Sequence, residues 1–127
     1  MVSDGELKSC LNAIEELPGL MRDLLEKSDH IKYLASLHFS CRNIYFIGRN
    51  IDHALALEGS LKLKEISYIF SEAYPAGELK HGTISLIEPG SLVVALCTYS
   101  PLTEKMISNM REVKARGAVV LALATEG

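Results

Sequence analysis

Three ionisable residues share a helical spacing in the middle of this sequence. Glu58, Lys62 and Glu65 stand at i, i+4 and i+7 in the segment 54–67. On a helix they fall within about 60° of one another. Leu57 and Leu61 flank this stripe on one side, and Leu55 and Ile66 on the other. Ala56, Ser60, Lys64 and Ser67 gather on the opposite side, where an ordinary surface helix puts its charges. The ordinary reading is a solvated Glu–Lys pair worth about 0.3 kcal/mol. The apolar flanks favour a different one, because buried charges are costly unless they are paired or used. A lysine between two glutamates keeps one carboxylate ionised, and partial burial of the other raises its proton affinity. Glu65 is then expected to take and return a proton, which is general acid–base chemistry.

A second group lies in Tyr74–Thr83, where Gly77 and Gly82 bracket a tight course of chain around Glu78, Lys80 and His81. Histidine titrates near neutrality, so His81 can shuttle protons. Against this stands a plain helix-end histidine, with Glu78 and Lys80 as local capping partners. Gly48, Arg49 and Asn50 are expected between a strand and a helix, where backbone N–H groups can hold an anion. They lack the full glycine fingerprint of a dinucleotide or Walker site. Arg49 and Gly48, with Glu78 and Lys80, are the candidate substrate-binding residues.

The elements that must position these groups change character near Asn43. Before it, Leu7, Cys10, Leu11, Ile14 and Leu17 recur at helical spacing. Pro18-Gly19 is expected to interrupt that helix, and a second amphipathic segment runs from Leu20 to Glu26. A third helix, capped by Ser28 or Asp29, is expected to reach about Ser40. After Asn43, Ile44–Ile47 reads as a buried strand closed by Gly48. Asp52 is expected to cap a helix running from about His53 to Phe70. Glu72–Pro75 reads as a brief extended piece, and Gly77–Ile87 as holding one short helix. Pro89-Gly90 is a turn, and Leu92–Cys97 a second buried strand. Leu102–Arg116 follows as an amphipathic helix with Met106, Ile107, Met110 and Val113 inward. Gly117 is its C-terminal cap, and Val119–Leu123 is a third clear strand.

Apolar strands that alternate with helices indicate a parallel sheet covered on both faces. The fold class is therefore α/β, a three-layer α-β-α arrangement preceded by packing helices. Residues 1–42 are the expected helical region, and 43–127 the expected α/β core. Ligands of such sheets bind beyond the carboxyl ends of the strands, here at Gly48-Arg49-Asn50, Thr98-Tyr99-Ser100 and Ala124-Thr125-Glu126.

At these residues the run ALEGSLKLKEISYIFSEAYPAGELKHGTISLIEPG closely resembles a known family. It is similar to the second sugar-isomerase (SIS) domain of glucosamine-6-phosphate synthases, the glutamine:fructose-6-phosphate amidotransferases. LKLKEISY and GELKHG stand in the family's register, and a looser likeness extends over nearly all the chain. The resemblance implies two SIS domains in an isomerase half that converts fructose 6-phosphate and ammonia to glucosamine 6-phosphate. It implies that Glu65 moves the proton between C1 and C2 of the sugar, and that Glu58 and Lys62 build and polarise that site. It implies that His81 assists ring opening at the neighbouring subunit's site in a dimer. Thr83 departs from the family, which commonly has proline there. No cysteine follows Met1 as a glutaminase nucleophile, and no Ser/Thr-rich phosphate loop of a first SIS domain is present. The family's C-terminal tail lysine, which forms a Schiff base with the open sugar, has no counterpart here. Lys62 is not given that role. The chain, ending at Gly127, is accordingly expected to be a fragment with little synthase activity of its own.

Composition bounds the alternatives. A length of 127 residues with 48% hydrophobic content suits one core. The net charge of -3 argues against a nucleic-acid partner, which usually demands a basic excess. Cys10, Cys41 and Cys97 are three, far apart and without metal-ligand spacing. No disulfide framework, metal or cofactor is expected, and a reducing cytoplasm is. No apolar run reaches the roughly 20 residues of a membrane span, and the N-terminus lacks the order of a signal peptide. The expected partners are a phosphorylated sugar, fructose 6-phosphate, and a second copy in a homodimer. Three other functions fit the same class: an amino-sugar-phosphate deaminase or deglycase, a non-catalytic phosphosugar-binding regulator, and a purely dimerising domain.

Overall fold

A computed structural model describes residues 2–125 of the chain. Glu126, expected at the end of the last strand, lies outside the described residues, as does Gly127. The chain divides into two compact units, one ending at Phe39 and the other beginning at Ser40.

The first unit holds two helices, α1 (Asp4–Glu26) and α2 (Ser28–His38). A reciprocal capping box starts α1: the Ser3 hydroxyl accepts from the Glu6 N–H, and the Glu6 carboxylate accepts from the Ser3 N–H. The expected break at Pro18-Gly19 does not occur, and α1 runs through Pro18. Proline removes one hydrogen bond from a helix interior, but the apolar spacing stays in register across it, from Ile14 and Leu17 to Met21 and Leu24. Neither Ser28 nor Asp29 caps α2. Its cap position falls on Lys27 with no side-chain bond, and Asp29 pairs instead with Lys32 at 3.0 Å.

The second unit is a four-stranded sheet with every neighbouring pair parallel. Its strands are β1 (Asn43–Gly48), β2 (Phe70–Pro75), β3 (Leu92–Cys97) and β4 (Val119–Ala124), in the order β2-β1-β3-β4. Parallel crossovers are right-handed. Chain direction reverses between β1→β2 and β2→β3→β4, so the connections fall on opposite faces. Helix α3 (Ile51–Ser67) covers the face bearing Phe46. Two 3-10 turns, Ala76–His81 and Thr83–Leu86, and helix α4 (Thr103–Ala115) cover the other. There Tyr45, Ile47, Val93, Ala95 and Cys97 form one buried cluster with Ala76, Leu79, Met106 and Val113. The fold class read from the sequence is the one found: helices flanking a parallel sheet.

Three local expectations change. The single short helix over Gly77–Ile87 is two 3-10 turns separated by Gly82, whose φ of 141° no helix accepts. Helix α3 stops at Ser67, because Tyr68 turns left-handed (φ 59°) before Phe70 joins β2. On α4, Met106 and Val113 are buried as expected, but the polar Asn109 is buried beside them and Ile107 is partly exposed.

The turn from β1 into α3 is tight because Gly48 lets it be. A Cβ at Gly48 would stand 2.5 Å from the Asp52 carbonyl carbon and oxygen, both backbone atoms that cannot swing aside. Gly48→Ala is expected to cost about 3 kcal/mol, the upper range for forced overpacking. Urea denaturation measures it, and an unchanged midpoint would refute the crowding.

Candidate functional site

The face that α3 turns to the sheet is made of small residues. Asp52, Ala56 and Ser60 are its buried residues, and Gly59 rests on the Phe46 ring, where a Cβ would come within 3.1 Å. The Ser60 and Ser71 hydroxyls lie 3.0 Å apart, and the Ser71 hydroxyl donates to the Ser60 carbonyl at 2.9 Å. This closeness decides the orientation of the helix. The side with Ala56 and Ser60, expected outside, is the buried one.

The stripe is therefore turned outward. Lys62 Nζ lies 2.7 Å from Glu65 Oε2 and 3.7 Å from Glu58 Oε1. The three side chains are 57%, 49% and 62% exposed in that order. The hydrogen bond from Lys62 to Glu65 and the nearby negative charge raise the Lys62 pKa. The partial burial expected of Glu65 is not supplied by the described residues. Leu55, Leu57, Leu61 and Ile66, expected inside, are exposed around it. The result is an uncovered apolar helix face with a carboxylate–ammonium–carboxylate row along its centre.

His81 is not brought to this row. It ends the first 3-10 turn, on the face of the sheet opposite α3, and its nearest charge is Glu78 at 3.9 Å. Both side chains are largely exposed. The segment that carries them is fastened to α4 by one ion pair, and Arg49 from the end of β1 packs over it. Lys80 Nζ meets Glu112 Oε1 at 2.9 Å, and that ammonium holds the Glu112 carboxyl below its ordinary value against a partial burial that pushes it up. Arg49 lies over Gly77, where a Cβ would approach its guanidinium to about 3.1 Å, and its Nε donates to Asn109 Oδ1 at 3.0 Å. Of the four candidate substrate-binding residues, Arg49 and Lys80 share one small pocket, Gly48 is a tight-turn residue, and Glu78 stands beside His81.

Sequence reasoning missed the role of Asp52. Asn50, not Asp52, takes the cap position of α3. The Asp52 carboxylate reaches across the end of the sheet and accepts from the Thr98 N–H at 2.8 Å, the Tyr99 N–H at 3.1 Å and the Thr98 hydroxyl. Burial pushes its pKa up, but the three donors outweigh that and leave it below the ordinary carboxylate value. Asn109 and Glu112 were also missed, although a polar Asn109 on the Met106–Val113 stripe was a readable signal.

The family described as SIS domain matches residues 38–127. The chain belongs to the SIS domain family. A glutamine–fructose-6-phosphate aminotransferase (isomerizing) of Caldanaerobacter subterraneus is 50% identical over 126 residues, which are 99% of this chain and 21% of that protein. One from Thermus thermophilus is 49% identical over 122 residues, 96% of this chain and 20% of that protein. The chain thus spans about a fifth of the length of these curated relatives. Among solved structures, the C-terminal domain of the glucosamine–fructose-6-phosphate aminotransferase of Francisella tularensis matches with a TM-score of 0.91 at 33% identity, over 97% of this chain and 35% of that one. A glucosamine-6-phosphate deaminase of Thermotoga maritima matches with a TM-score of 0.59 at 31% identity, over 65% of this chain and 26% of that one.

The Asp52 bridge gives this SIS domain a defined acid sensitivity. A carboxylate whose pKa is depressed on folding contributes stability above its unfolded value, about 3.9, and loses it as pH falls through the lower folded value. Asp52→Asn keeps the shape but strands backbone donors, at an expected cost of about 2 kcal/mol near pH 7. Urea midpoints for both proteins should converge as the pH falls below the unfolded value of about 3.9 and on through the lower folded one. A gap that stays constant from pH 7 to pH 2 would show that the ionised carboxylate is not the stabilising species.

Proposed function

We propose that this chain is the second SIS domain of a glutamine–fructose-6-phosphate aminotransferase (isomerizing). Such an enzyme makes glucosamine 6-phosphate from fructose 6-phosphate and glutamine-derived ammonia. The observation that carries the reading is the row Glu58–Lys62–Glu65 on an uncovered apolar face, in a chain half identical to enzymes of that name. In this reading residues 1–42 are the helical lead-in and 43–127 the sugar-isomerase core. The setting is the cytoplasm, and no helix among the described residues is long and apolar enough to cross a membrane.

The chemistry follows from what must cover that face. When Leu57, Leu61 and Ile66 are buried in the assembled enzyme, water leaves the row between them. Desolvation then favours the neutral form of a carboxyl group. Lys62, hydrogen-bonded to Glu65 at 2.7 Å, counters this and orients the Glu65 carboxylate, which shuttles a proton between C1 and C2 of the open-chain sugar. Glu58 fixes Lys62 from the other side. His81, on the opposite face of the same sheet, serves ring opening at the site of a second copy. That division of labour makes a homodimer part of the reading. Arg49, Gly48, Glu78 and Lys80 act as supports of the His81 segment and of the phosphosugar's approach.

The test uses the longer polypeptide that contains both SIS domains. Glu65→Gln should lower solvent exchange of the C1 hydrogen of fructose 6-phosphate by about 10²–10⁴-fold while sugar binding is kept. Unchanged exchange would remove Glu65 as the base and favour a non-catalytic phosphosugar-binding role. The 127-residue chain alone should convert little or no fructose 6-phosphate, and conversion at the rate of the longer enzyme would overturn the fragment reading.

A further inference from the structure

A pocket of about 200 Å³ opens beside the Lys80–Glu112 pair that fastens the Ala76–His81 turn to α4. It is smaller than a drug-sized ligand site, which starts near 300 Å³. Arg49, Lys80 and Lys105 line it together with Glu112, Ser108 and Asn109. Three cations against one carboxylate leave its wall two charges positive. Two of the cations remain available. Among the described residues Lys105 forms no ion pair, and Arg49 has a partner only at Nε. That single partner matters. Asn109 is buried, 4% exposed, and its carbonyl oxygen fixes the plane of the guanidinium over Gly77. The terminal N–H groups are thereby held as a fork before any ligand arrives. A fixed guanidinium fork matches the paired oxygens of phosphate, and a lysine adds a point charge.

We propose that this pocket is an oxyanion site that takes a phosphate group, free or as the head of a phosphomonoester. It is separate from the Glu58–Lys62–Glu65 row, because the sheet lies between α3 and α4. It therefore stands whether or not that row is catalytic. Arg49 grips two phosphate oxygens and Lys105 adds a charge at a third, while Glu112, which accepts from the Ser108 hydroxyl at 3.3 Å and holds Lys80 at 2.9 Å, tunes the rim. Occupancy stiffens the turn that ends in His81, since Gly77 and Lys80 belong to both.

The experiment follows backbone amide resonances of the 127-residue chain in dilute buffer at pH 7.5. Inorganic phosphate is titrated in one arm and glucose 6-phosphate in another, each against sodium chloride at equal ionic strength. Saturable shifts are expected at Arg49, Gly77, Lys105 and Ser108, with a midpoint of about 1 mM. Lys105→Glu should weaken binding by about tenfold, and Glu112→Gln should tighten it by about threefold by releasing Lys80. Both positions retain some solvent exposure, and unchanged spectra elsewhere verify the fold. Tighter binding of glucose 6-phosphate assigns the site to phosphomonoesters, and tighter binding of phosphate assigns it to the free ion. Shifts no larger than those in chloride, or a midpoint that neither variant moves, would overturn the proposal.

Discussion

The α/β unit depends on one buried carboxylate. Asp52 begins on the first turn of α3 and ends on the N–H groups of Thr98 and Tyr99, which follow β3. It thus joins the exits of β1 and β3, the two central strands, where the connections leave to opposite faces of the sheet. In open α/β sheets this switch point is the usual crevice for ligands. Here a side chain of the protein occupies its donors. The bridge tolerates burial because the charge meets three donors, and a lone buried carboxylate would be costly. With those donors engaged, the remaining polar chemistry is displaced to the two outer layers of the fold.

Each layer then takes a different task from its packing. On one side, Ala56, Gly59 and Ser60 let α3 lie close to β1 and β2, and the Ser60–Ser71 contact seals the joint. A helix seated on small residues must turn its large ones outward. Leu57, Leu61 and Ile66 therefore surround Glu58, Lys62 and Glu65 on an open face. Ion pairs this exposed contribute little to stability. On the other side, Arg49, Asn109, Lys80 and Glu112 hold the short turn that carries His81. The same sheet thereby carries the Glu58–Lys62–Glu65 row and His81 on opposite faces.

Much of this was legible in the residues. The strands Ile44–Ile47 and Leu92–Cys97 were visible because both of their faces are covered, which makes them continuous apolar runs, and the edge strand Val119–Leu123 reads as apolar although it is largely exposed among the described residues. The spacing of Glu58, Lys62 and Glu65 named the stripe, and the LKLKE and GELKHG words named the family. Where local rules failed, a wider constraint had won. Pro18 did not end α1, which runs through it from Asp4 to Glu26. Asp52 looked like a cap because Ser, Thr, Asn and Asp usually are, yet its oxygens went to a loop 46 and 47 residues onward.

The sequence by itself determined the periods: which segments are helices or strands, and which residues share a helix face. It also determined the family, because motif words are local. Only the tertiary structure decided which face of α3 is buried, since hydrophobicity points the leucines inward while close approach to the sheet demands alanine, glycine and serine. Only the tertiary structure brought Arg49 to Asn109 and Lys80 to Glu112, because those partners are 60 and 32 positions apart. Side-chain period is a property of one element. Contact between elements is set by how closely their backbones can pack, and that distance is written in no single stretch of chain.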